Sequence, residues 1–188
     1  MDSEGENVEE AAGLNAIDAF LRDEFFSMTL MAAVQRGDVY ATEAPESLKK
    51  AFRSDLRRKL EEMASHYRTP VAEEVHLENI GSLADYLTKN HSVGLKGGRF
   101  RIGTAQKALN LYLKYRWCIG AISEPPHCPF DFQIIKALPG CGHVRWTALD
   151  DIDTYKLLVA AAKRAAGTSS IARWELEAYN AAVRPPQD

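Results

Sequence analysis

The chain has 188 residues, 46% hydrophobic and 26% charged, with a formal net charge of −3, the size and balance of one globular domain that buries a core. No apolar run approaches the roughly 18 to 20 residues that cross a bilayer, and the opening MDSEGENVEE lacks the basic start and apolar stretch of an export signal. The expectation is a cytoplasmic protein without a membrane partner, and three cysteines, Cys118, Cys128 and Cys141, are too few for a disulfide framework.

In chain order, residues 1–12 read as a disordered acidic tail, and residues 13–184 as a single helical domain. Leu14, Ile17, Leu21, Phe25, Met28 and Ala32 recur every three or four residues and predict a helix over 14–34. Pro45 opens a second helix to about Tyr67, with Leu48, Phe52, Leu56, Leu60 and Met63 inward. After Pro70 a short helix is expected over 82–89, with Ser82 and Asp85 resembling a capping box. Val93, Leu95, Phe100 and Ile102 alternate about Gly97-Gly98, which predicts a small β-hairpin over 92–102. Thr104 is a suitable N-cap for a helix to about Ile119, apolar on most sides and therefore central, with Trp117 and Cys118 expected to be buried. The turn SEPPHCPFD, a two-turn helix over 132–138, a helix over 151–166 and a last helix over 170–183 complete an all-α chain of about seven helices.

Charge is unevenly placed. Residues 1–43 hold ten acids and two bases, residues 44–116 fourteen bases and eight acids, and residues 91–116 six bases and no acid. Lys49, Arg53 and Arg57, four apart, form a ridge on the second helix, while Lys96, Arg99 and Arg101 precede a helix N-terminus, with Lys107 one turn in. Free backbone N–H groups and the positive dipole end favour an anion there, so these seven residues are the candidate nucleic-acid contacts. The competing reading is a solvated surface whose long stems cover the core edge. Cys118, Cys128, Cys141 and His143 are a weaker alternative as zinc ligands, because their spacing lacks the usual close pairs. No nucleophile elbow, zincin motif, phosphate loop or dinucleotide fingerprint is present, so no catalytic residue and no cofactor is assigned.

The pieces SLKKAFRSDLRRKLEEMA, ENIGSLADYLTK and TAQKALNLYLKYRWCIGAIS, within residues 44–125, resemble the helical, SAM-like core-binding domain that precedes the catalytic domain of tyrosine recombinases. The resemblance implies helices that clasp DNA through its phosphates. The family's Arg, His-x-x-Arg and Tyr set has no counterpart in residues 126–188, so strand cleavage is not implied. The block WCIGAISEPPHCPFD resembles one from an uncharacterised bacterial family and implies no activity.

The expected function is a non-enzymatic nucleic-acid-binding or accessory module, with a protein-interaction module as the alternative and an enzyme of unknown reaction third. In the interaction reading, the acidic N-terminal arm or an apolar groove takes the partner. Geometry discriminates: a ridge and loop on one face favour nucleic acid, and divergent ones favour a protein partner.

Overall fold

A helix that is apolar all round has to be surrounded, and α4 (Ile102–Cys118) is. In a computed structural model, which describes the backbone of residues 3–183 and the side chains of residues 15–181, every residue of α4 from Ile102 to Asn110 is buried. Around it pack α1 (Ser3–Thr29), a π-helical stretch (Leu30–Gln35), α2 (Glu46–His66), α3 (Glu73–His91) and α6 (Ile152–Ala166). The short α5 (Phe132–Ala137) and the last helix α7 (Ile171–Val183) complete the seven α-helices among the described residues. Asp151 caps α6 by accepting a hydrogen bond from Thr154 N at 2.6 Å, and Asp131 caps α5 through the N–H groups of Gln133 and Ile134. The core is continuous, from Phe25 and Val34 through Phe52, Leu83 and Leu109 to Leu158.

The all-α class expected from periodicity holds, and several finer expectations are corrected. The hairpin over 92–102 is absent among the described residues. Two short 3-10 turns, Ser92–Gly94 and Lys96–Gly98, occupy the segment. Leu95 does adopt extended backbone, but it bridges Tyr40, not a residue across Gly97-Gly98. The bond from Lys96 N to Val39 O and that from Ala41 N to Gly94 O hold this crossing. Of the other alternating residues, Val93 lies in a 3-10 turn and Ile102 opens α4, and the bridge partner of Leu95 lies fifty-five residues away in sequence.

The third helix starts at Glu73, nine residues before its expected start. Ser82 lies in its interior and caps nothing. The buried stripe His76, Ile80, Leu83, Ala84 and Leu87 is continuous, and Glu73 and Glu74 in the first turn suit the helix dipole. Of the expected tail over 1–12, Met1 and Asp2 lie outside the described residues, and the backbone is helical from Ser3 onward. Cys118 is exposed, not buried, and Trp117 is only partly covered, because α4 emerges from the core over its last turn.

One glycine fixes how the C-terminal third meets this bundle. A Cβ on Gly103 would lie 1.8 Å from the carbonyl oxygen of Trp146, and Gly103 N donates to Leu149 O at 2.8 Å. Only a residue without a side chain lets the 146–149 loop lie against the start of α4.

Candidate functional site

The seven basic residues expected to meet phosphate do not form one free surface. Arg53 is paired with Glu46, Arg57 with Asp23 and Glu61, and Lys96 with Asp38. Arg99 grips both oxygens of Asp150 at 3.1 Å and reaches Asp85 at 2.9 Å. Arg101 donates to Thr147 O at 3.3 Å, and Lys49 lies 5.7 Å over the Tyr40 ring. Their partners diverge: Arg57 turns to α1, Lys96 to the turn after the π-helical stretch, and Arg99 to the space between α3 and α6. Lys107, expected at the mouth of the loop, is buried. The acids that sequence counting placed elsewhere in the chain return in the fold to neutralise this basic stretch.

Nor is the alternative ligand set assembled. Among the described residues no three His, Cys, Asp or Glu side chains group as metal ligands. Cys118 is exposed, Cys128 is sealed in the core, and Cys141 is half-buried with Sγ 3.7 Å from Pro139 O.

Periodicity gave no hint of a polar network through the middle of the protein. Tyr67, which ends α2, donates its hydroxyl proton to His76 Nδ1 at 2.6 Å and accepts from Asn79 Nδ2 at 3.0 Å. His76 Nε2 donates to Asn110 Oδ1 at 2.8 Å, and the Asn110 amide donates to Gln106 Oε1 and to the Tyr155 hydroxyl. Tyr155 in turn donates to His127 Nδ1 at 2.8 Å. Donor and acceptor roles close consistently only if both histidines are neutral and protonated at Nε2. Burial pushes both imidazoles down to about 3; the neighbouring His127 adds to the shift at His76, and Lys163 adds to that at His127. The one open end is His127 Nε2, which finds no hydrogen bond and stands 3.8 Å from Glu73 Oε2. With both rings fully enclosed, the network ties the 119–131 segment to α2, α3, α4 and α6. It is not exposed to a substrate.

Two of the concave features among the described residues combine apolar lining with several charged side chains. The first is an open groove of about 540 Å³ along α3. Leu77, Gly81, Ile102 and Ile152 form its floor, and Glu74, Glu78, Asp85 and Asp150 stand around it, with Arg99 and Lys156 the cations. Arg99 is already held by two of those carboxylates. Gly81 sits mid-helix with nothing within 4 Å of where a Cβ would be. The second is a cleft of about 330 Å³ between the π-helical stretch, α4 and α7. No family model, curated protein or solved structure matches the chain.

Proposed function

We propose that this protein is a non-enzymatic interaction module whose α3 groove docks a basic amphipathic segment of a protein partner. The observation that carries this reading is Gly81. A glycine in an exposed helix interior costs about 1 kcal/mol relative to alanine, and neither its backbone conformation nor any neighbour in the fold requires one here. What a bare helix backbone offers at that point is close approach to something lying in the groove. Four carboxylates against two cations around an apolar floor fit a partner with apolar anchors flanked by Lys or Arg, the helix-in-groove mode of recognition. The nucleic-acid reading draws less support, because most of its candidate cations already face carboxylates of the same chain and point to different neighbours.

The test uses two synthetic 18-residue amphipathic helical peptides, one with Lys and one with Glu flanking the same Leu stripe, titrated by fluorescence anisotropy. The Lys peptide is expected to bind and the Glu peptide to fail. Gly81→Leu, whose Cβ would have nothing within 4 Å and whose side chain would enter the groove, should abolish binding while leaving the fold intact. Binding of the Lys peptide that survives both Gly81→Leu and the pair Glu74→Lys with Glu78→Lys overturns the proposal. Oligonucleotide binding at low salt that weakens evenly on changing Arg99 and Arg101 to Ala would install the nucleic-acid reading in its place.

A further inference from the structure

The second cleft shares no lining residue with the α3 groove and carries an independent inference. It follows one face of α4, past Lys107, Leu111, Lys114 and Cys118 in successive turns. The π-helical stretch supplies Ala32 on the opposite wall and leads directly into Arg36; such departures from the i→i−4 ladder re-aim side chains and are frequent at binding sites. Helix α7 supplies Leu176 and Tyr179.

Lys107 is the unusual group. Its side chain is 6% exposed, yet its ammonium, which carries three donors, makes no hydrogen bond to any described residue. Its nearest carboxylate oxygen, Asp131 Oδ2, is 3.9 Å away, too far for a hydrogen bond. The other oxygen, Oδ1, is committed to capping α5. The Trp146 ring, 4.2 Å beneath the ammonium, contributes cation–π attraction but accepts no proton in a fixed geometry. Burial, with Arg36 nearby, holds the ammonium below its usual range, against the opposing pull of Asp131. The neighbouring pair shows what satisfaction looks like in the same cleft: Lys114 donates to both oxygens of Glu175 at 2.9 and 2.7 Å.

A buried cation of this kind is costly unless something completes its shell. Three cations and two carboxylates line the cleft, leaving one positive charge in excess. A dianion would be opposed by Asp131 and Glu175; a monoanion balances the site. Most of the remaining lining is apolar, from Ala32, Leu111, Pro129 and Leu176 and the Tyr115 and Tyr179 rings. The volume lies at the small end of the range for small-molecule sites, about 300 to 1,000 Å³. We infer that the cleft binds a small amphipathic monocarboxylate, its carboxylate accepting hydrogen bonds from Lys107 and Arg36 and its apolar body lying between Leu111 and Leu176.

Octanoate, octan-1-ol, octylamine and acetate, titrated by calorimetry and followed by the methyl NMR shifts of Leu111 and Leu176, test this. Octanoate should bind most tightly, octylamine should not bind, and acetate should be weaker for want of the tail. Lys107→Met keeps an unbranched side chain of similar length and removes the charge. It should weaken octanoate at least about tenfold and leave octan-1-ol unchanged. Arg36→Gln, at an exposed position, should weaken octanoate severalfold, and it reads the same contact should Lys107→Met fail to fold. No octanoate binding by the native protein at millimolar concentration, or equal binding by native and Lys107→Met proteins, overturns the inference.

Discussion

The hydroxyl of Tyr155 stands 2.8 Å from Nδ1 of His127 and 3.1 Å from the Asn110 amide, donating to the first and accepting from the second. One phenol oxygen thereby joins α6, the proline-rich loop and the central helix. Tyr155→Phe keeps the ring and strips both contacts, leaving His127 Nδ1 without a partner and the Asn110 amide with only its bond to Gln106 Oε1. The expected loss is about 1 to 3 kcal/mol for the orphaned group, read as the change in urea-unfolding free energy. A loss below about 1 kcal/mol would mean that the pair is not coupled in the folded protein.

The two imidazoles make stability depend on pH. Each titrates at about 3 when folded, against 6.5 for the free side chain. The unfolded chain therefore binds the extra protons, and stability falls as pH drops below 6.5, levelling off only near 3. Between pH 7 and pH 5 the expected loss is about 2 kcal/mol for each histidine. His127→Gln should roughly halve the slope. Unfolding curves that superimpose from pH 7 to pH 5 would contradict the buried neutral assignment.

Two glycines on neighbouring helices should respond in opposite directions to the same change. Gly81→Ala adds a methyl group where nothing stands within 4 Å, and should stabilise by about 0.5 to 1 kcal/mol, raising Tm by roughly 2 to 4 °C per kcal/mol. Gly103→Ala drives a Cβ into the Trp146 carbonyl and should cost about 3 kcal/mol or more, beyond ordinary overpacking. Thermal melts of the two variants distinguish a glycine kept for the fold from one the fold does not need.

Trp117 is half-covered and lies under the Arg173 guanidinium at 5.8 Å from the ring centroid. Trp117→Ala should cost clearly less than the roughly 3 to 5 kcal/mol of an enclosed aromatic. Phe100→Ala, at a fully buried ring, should cost that full amount. Equal losses in chemical denaturation would place Trp117 in the core after all.

The cysteines should separate by accessibility. Cys118 is exposed and should alkylate in the native protein, although burial of part of its surroundings raises its pKa and slows the reaction at neutral pH. Cys128 is enclosed, its thiol pushed far up by burial, and should react only after unfolding. Mass spectrometry after timed iodoacetamide treatment checks this; native labelling of Cys128 would show that its segment opens.

The helical class, the central place of α4 and the spans of α5 and α6 could be read from the chain, because 3.6-residue periodicity is local physics. The inward stripe of α2, from Phe52 to Met63, was legible for the same reason. Local signals also misled: Ser82 and Asp85, resembling a capping box, set the start of α3 nine residues late, and Gly97-Gly98 suggested a turn between strands that do not pair. What tertiary structure alone decided was the partner of each polar group. Lys107 reads as surface by type and is buried. Arg99 reads as a free cation and is clasped by Asp85 and Asp150, fourteen and fifty-one residues away. His76 and His127 lie far apart in sequence, yet their ring centroids are 4.6 Å apart. Charge and hydrogen bonding act between groups that meet in space, and a linear pattern carries only neighbours along the chain.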